Sequence, residues 1–175
     1  MLIGLTGRAG SGKTTIAKFL AERDGFIIRT YAYPLKKSLV ELTGLGMEYF
    51  TDIVLKERQL EIGKSPRELM QLMGTEFVRE MVNKDFWIWR MRDVILRIST
   101  EIDVVIDDCR FENETALVRE MGGQVIHLDR HYAAVTDKNN HASEKPLRRL
   151  AEDYAIQSWL AGEEYTYSIL KEMIG

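Results

Sequence analysis

The stretch Gly7 to Thr14 reads GRAGSGKT, a glycine followed by four residues, a second glycine, a lysine and a hydroxyl residue. That spacing suits one chemistry, the cradling of a polyphosphate. Gly7, Gly10 and Gly12 allow turns that a side chain hinders, so successive amides through Ala9 and Ser11 to Thr15 face one anion together with the N-terminus of the following helix. Lys13 reaches the β- and γ-phosphates as a point charge, and the Thr14 hydroxyl ligates Mg²⁺. A second cluster is VVIDDCRFENE, Val104 to Glu114. Carboxylates at the end of a buried strand can hold a metal's water shell or take a proton from an acceptor, and Arg110 can neutralise charge on a transferring phosphoryl group. Its bland reading is a surface turn whose acids cap the next helix.

The third constellation is a stripe. Arg67, Gln71, Thr75 and Arg79 recur every four residues along one slowly turning helix face, while Leu69, Leu72, Met73 and Phe77 fall on others and are expected in the core. A solvated face is the ordinary account of such a stripe. Two arginines flanking an amide and a hydroxyl also suit a phosphate and a base, because guanidinium forks onto phosphate and Gln pairs with a base edge. Phe86, Trp87 and Trp89 read as core, His127 as structural and Cys109 as packing; His141 is equally a surface or a site residue.

The elements that position these groups alternate. Leu2 to Thr6 is a buried strand, and Ile16, Phe19 and Leu20 recur at helical spacing until Asp24 and Gly25. Phe26 to Arg29 is a second strand, and Pro34 opens a helix running to Gly44. Residues 45–64 are ambiguous. Ser65, Pro66 and Glu68 form a capping signature that opens a helix to about Val82. Asp85 caps the next helix, Ile102 to Ile106 is a strand with Asp107 and Asp108 at its carboxyl end, and Asn113 to Met121 is helical. Val125 to Leu128 and Tyr154 to Gln157 are strands, and Glu163 to Ile174 a terminal helix. Strands alternating with helices predict a three-layer α/β fold with a sheet of about five parallel strands covered on both faces. Ligands of such sheets bind at the carboxyl ends of the strands.

The chain has 175 residues, 45% hydrophobic and 29% charged, enough for a single domain with one site. Its 24 basic and 27 acidic residues leave a net charge of −3, so no overall field draws it to nucleic-acid polymers or anionic lipid. One cysteine excludes an internal disulfide, and a reducing compartment fits best. The opening apolar run is too short for a signal peptide or a membrane span, which makes the cytoplasm the default location.

These residues carry a resemblance to the deoxynucleoside monophosphate kinases of tailed bacteriophages and some bacteria. It rests on GRAGSGKT, YAYPLKKSL at Tyr31 to Leu39, ELMQLMGTEFVRE at Glu68 to Glu80, DFWIWRM at Asp85 to Met91, DDCRFENE at Asp107 to Glu114 and HASE at His141 to Glu144, and it covers nearly the whole length. The resemblance implies a P-loop NTPase fold, with ATP- and Mg²⁺-dependent phosphorylation of a deoxynucleoside 5′-monophosphate to the diphosphate. It implies a core of residues 1–30 and 100–175, a helical acceptor-binding region of about 31–99 and a lid of about 129–145 carrying Arg130 as a phosphate contact. By position Lys13, Asp108 and Arg110 belong to the reaction centre, Thr14 and Asp108 to the metal, and Lys36, Arg67, Gln71, Thr75 and Glu114 to the acceptor. The partner implied is a small nucleotide, with a homodimer left open; if the chain is phage-encoded, the location is the host cytoplasm. Two positions depart from the family pattern: Tyr33 stands where an aspartate is usual, and Asp107 occupies a variable position. A P-loop kinase for another small phosphorylated or hydroxylic acceptor shares the same opening. A nucleotide-dependent switch is the remaining alternative, opposed by the lack of an Asn-Lys-x-Asp motif.

Overall fold

The computed structural model describes residues 1–129, 143, 145–157 and 162–174. By its internal contacts the chain divides into two units, residues 1–30 with 92–175, and residues 31–91.

The first unit is a five-stranded parallel sheet in the order β2-β3-β1-β4-β5, made of β1 (Leu2–Thr6), β2 (Ile27–Arg29), β3 (Val104–Cys109), β4 (Gln124–Asp129) and β5 (Tyr154–Gln157). Helices α1 (Lys13–Asp24) and α7 (Gly162–Ile174) cover one face. There Ile3, Leu5, Val105, Ile126 and Leu128 meet Ile16, Leu20 and Leu170 in a cluster with almost no exposed surface. Each such aliphatic side chain contributes about 1.5–3 kcal/mol by leaving water. Helix α6 (Glu112–Glu120) covers the opposite face. Gly4 makes that approach close, since a Cβ there would stand 2.8 Å from Val118 Cγ2. The same two helices of the first face are also tied by charge: Asp24 accepts from Lys171 at 2.8 Å and from the Tyr167 hydroxyl at 2.7 Å.

One strand differs from its expected bounds in a way that affects the site. β3 begins two residues late and runs on through Asp107 and Asp108 to Cys109, so both carboxylates lie within the strand instead of just past it. The pairing with β1 slips between Gly4 and Thr6, which pair with Ile106 and Cys109, so β3 carries an extra residue here.

The second unit is helical. α2 (Ala32–Thr43), α3 (Glu48–Thr51) and a 3₁₀ turn (Leu55–Glu57) lead to α4 (Pro66–Gln71). The expected capping box is present: Ser65 Oγ accepts from the Glu68 amide, and Glu68 Oε2 accepts from the Ser65 amide at 2.8 Å. Past Gln71 the α-helix does not continue; the chain winds instead as a π-helical segment, Leu72–Val82, whose bonds reach five residues back. This wider winding overturns the expected faces. Thr75 and Arg79 of the polar stripe are buried, whereas Leu72 and Phe77 are exposed. Arg79 donates to the Lys84 carbonyl at 3.1 Å. Helix α5 (Phe86–Leu96) turns Trp87 inward, its indole N–H donating to the Gly74 carbonyl at 2.9 Å, but leaves Trp89 67% exposed, contrary to the expectation that both are core.

Candidate active site

The loop between β1 and α1 has the backbone its glycines predict. Gly7, Gly10 and Gly12 have φ of 143°, 78° and 92°, and the ammonium of Lys13 curls across the turn to donate to the carbonyls of Gly7 at 2.7 Å and Arg8 at 2.8 Å. Gly7 is needed twice over, for a Cβ there would also lie 2.3 Å from the Leu128 carbonyl of β4. Ser11 is buried against Lys13 Nζ, at 3.4 Å, while Ala9 and Gly10 stay exposed. The Thr15 hydroxyl donates to Glu163 of α7 at 3.3 Å. The result is a glycine turn that opens on a helix N-terminus with a cation across it, an arrangement suited to a polyphosphate.

Beside the loop lies a cavity of about 410 Å³ at the carboxyl ends of β1, β3, β4 and β5. Its lining includes Gly7, Arg8, Arg110, His127, Lys145 and Gln157. Three cations, Arg8, Arg110 and Lys145, against one carboxylate, Asp129, in the lining suit an anionic ligand, and the volume falls in the range of small-molecule pockets.

The two strand carboxylates part ways. Asp107 Oδ2 lies 3.4 Å from the Thr14 hydroxyl, and its Oδ1 accepts from the Thr30 hydroxyl at 2.8 Å. Asp108 is buried next to Cys109. Burial pushes the Cys109 thiol well above its usual pKa, with the charges of Glu114, Asp108 and Asp107 acting in the same direction, which disfavours the thiolate and suits a packing group at the cavity's edge. Glu114, expected at the acceptor, is buried with Oε2 accepting from the amides of Arg110 at 2.6 Å and Phe111 at 3.1 Å. Its visible task is to fix the turn that carries Arg110.

A buried cluster that sequence reasoning missed holds His127 of the cavity lining. Asp153 accepts from Arg119 at 2.9 and 2.7 Å, from the Leu150 amide at 2.8 Å, and stands 3.0 Å from His127 Nε2. Burial alone would raise the pKa of Asp153, but the bonds from Arg119, Leu150 and His127 outweigh it and hold the carboxyl below its ordinary value. In the second unit Arg67 pairs with Glu57, Thr75 is buried, and Gln71 and Lys36 are half-buried. Arg130, His141 and most of the expected lid lie outside the described residues.

Residues 46–159 match the family described as deoxynucleotide monophosphate kinase. The chain belongs to that family. This kinase is 35% identical over 168 residues, covering 86% of its own chain and 83% of the relative, to a protein of Acanthamoeba polyphaga mimivirus that carries the same family name. It is 26% identical over 213 residues to the deoxynucleoside-5′-monophosphate kinase of Escherichia phage T5, covering 84% and 85% of the two chains. Among solved structures, shikimate kinase from Aquifex aeolicus superposes over 99% of this chain and 96% of that one, at a TM-score of 0.49 and 14% identity, a distance that bears on neither fold nor acceptor. The chain is thus a phosphotransferase, and its loop Gly7 to Thr14 lies outside the stretch that matches the family, residues 46–159.

Proposed function

We propose that this kinase transfers the γ-phosphoryl group of ATP, with Mg²⁺, to a deoxynucleoside 5′-monophosphate, giving ADP and the deoxynucleoside diphosphate. The observation that carries the reading is the cradle: left-handed glycines, Lys13 across the loop and Thr14 beside a strand carboxylate, in a chain of this family. Among the described residues no group of three or more His, Cys, Asp or Glu side chains could hold a metal. Mg²⁺ needs none, because it is held by substrate phosphates with a hydroxyl or one or two carboxylates, and the hard oxygens of Thr14 and its neighbour fit it. Bound there, the ion would neutralise charge on the β- and γ-phosphates.

The roles assigned to the chain rest on placement and on the family. Backbone amides from Gly7 to Thr15, with Lys13, bind the donor phosphates; Arg8, Arg110 and Lys145 add positive charge at the neighbouring cavity. Asp108 is assigned to the reaction centre beside Arg110. Arg67 is assigned the acceptor phosphate, Gln71 and Thr75 its nucleoside and Lys36 a supporting charge. The experiment is direct. Protein with Mg-ATP and each of the four common deoxynucleoside monophosphates, and CMP as a ribonucleotide control, is assayed by ADP release and product chromatography. The expected result is a deoxynucleoside diphosphate in stoichiometric yield with ADP; ADP release without any acceptor, or none with every acceptor, would refute the proposal.

A further inference from the structure

Resting on that Mg-nucleotide reading, we propose that Thr30 is a positioning residue for the metal side of the cradle, acting through Asp107 on the hydroxyl of Thr14. The placement comes from the sheet. β2 and β3 pair with Arg29 opposite Ile106; the next residues are Thr30, just past the end of β2, and Asp107, still within β3, and a hydrogen bond joins them at the carboxyl edge. The Thr30 hydroxyl donates to Asp107 Oδ1 at 2.8 Å, a normal length, whereas Thr14 Oγ1 stands 3.4 Å from Oδ2, long for a bond between oxygens. Thr30 is therefore the firm anchor and Thr14 the partner with room to move.

The chemistry is a matter of valence. The terminal torsion of an aspartate is broad, so a carboxylate held at one oxygen has its other oxygen aimed, while an unheld one rotates. A threonine hydroxyl has one proton and two lone pairs. With its proton directed at Asp107 Oδ2, Thr14, which is exposed at the first turn of α1, turns its lone pairs outward to a cation. Both oxygens of Asp107 face hydroxyl donors, which suits an orienting acceptor more than a base that must take a further proton. Glu114 serves the Arg110 turn and Asp108 is buried beside Cys109, so this task falls to Asp107.

The test replaces Thr30 by Val, which keeps the shape and deletes the hydroxyl, and by Ser, which keeps the hydroxyl. Mn²⁺ stands in for Mg²⁺, and its affinity for the protein–ADP complex is read by electron paramagnetic resonance, beside ADP affinity in EDTA by calorimetry. Thr30→Val, one step beyond the ligand's own partner Asp107, is expected to weaken Mn²⁺ binding by roughly three- to tenfold, at or below the low end for loss of a direct outer partner, leaving metal-free ADP affinity unchanged, while Thr30→Ser stays within about twofold of the parent. In turnover, the Mg²⁺ concentration for half-maximal rate shifts upward in Thr30→Val and saturating Mg²⁺ recovers most of kcat. If Thr30→Val loses its circular dichroism signature of folding, Thr30→Ala replaces it in the same measurements. Unchanged Mn²⁺ affinity in the folded variant, or an equal loss of metal-free ADP binding, overturns the proposal. A parent protein that binds no Mn-ADP overturns the nucleotide reading itself, and the two failures are told apart by that control.

Discussion

Replacing Asp153 by Ala should cost this protein about 3 kcal/mol, the low end of the range for breaking a buried pair. The carboxylate is 1% exposed and meets four donors or ring atoms: two guanidinium nitrogens of Arg119, the Leu150 amide and His127 Nε2. Its loss leaves the Arg119 guanidinium, itself only 17% exposed, with the Thr115 hydroxyl at 3.3 Å. That residual access to water is why the low end applies. For a chain of this size about 3 kcal/mol lowers Tm by roughly 6–12 °C. The variant should also bind the donor nucleotide more weakly, because Asp153 secures the Leu150 amide just beyond Lys145, Pro146 and Leu147 of the cavity wall. Urea unfolding at pH 7 measures the first effect and donor KM the second. The double variant Asp153→Leu with Arg119→Met should regain part of the stability, since it removes both charges. A single-variant loss below about 1 kcal/mol would refute the reasoning that this pair is desolvated.

The same geometry sets other outcomes. Gly7→Ala, with its Cβ at 2.3 Å from a backbone carbonyl, should disrupt the cradle and the β1–β4 edge, whereas Gly122→Ala, at φ 74° in open space, should cost only about 1–2 kcal/mol; paired thermal melts and ADP titrations compare them. Lys13→Ala should lower kcat by about 10² or more with the fold intact, seen in turnover and circular dichroism. Arg67→Ala should raise acceptor KM about tenfold with little change for ATP, and Arg67→Lys should restore only part; equal effects on both substrates would detach Arg67 from the acceptor. The folded-state pKa values of Asp153 and Asp24 are both lowered; for each, burial alone raises the value and hydrogen bonding outweighs it. Their stabilisation is therefore complete above the unfolded carboxylate pKa of about 3.9 and is lost as pH falls below it, and Asp153→Ala should flatten that acid limb in urea melts at stepped pH.

The sheet was legible because its signals are local. Ile3, Leu5, Val105, Ile126 and Leu128 sit in short apolar runs ended by glycine or charge, and the capping residues Ser65 and Glu68 announce their helix in four positions. The π-helical winding of Leu72–Val82 was not legible, because apolar spacing of three and four residues reads as an ordinary helix; it is this winding that buries Thr75 and exposes Phe77. At the site, the loop from Gly7 to Thr14 is contiguous in sequence and was fully visible. The division of roles between Asp107 and Asp108 stayed open, since which of two adjacent carboxylates faces Thr14 depends on the slipped pairing of β3 with β1. Thr30 carries a signal that was available, its position just past a parallel strand at the edge where ligands bind. The cluster of Arg119, His127 and Asp153 joins residues far apart in the chain and has no sequence pattern.

The division of the chain has a kinetic consequence. Residues 31–91 interrupt the first unit between β2 and β3, and β1 finds both its neighbours, β3 and β4, only beyond residue 103. Lengthening that interruption costs little in closure entropy, which grows as a logarithm, but pairing so distant in sequence slows folding. Trp87 meets its partner Gly74 within the interrupting segment, so that contact can form while β1 is still unpaired. During synthesis the apolar strand Leu2–Thr6 is made before either of its neighbours and waits for them, a stretch exposed to off-pathway association until β3 and β4 have followed. The loop Gly7 to Thr14, which follows β1 and packs Gly7 against the Leu128 carbonyl of β4, is complete only once that later strand is in place.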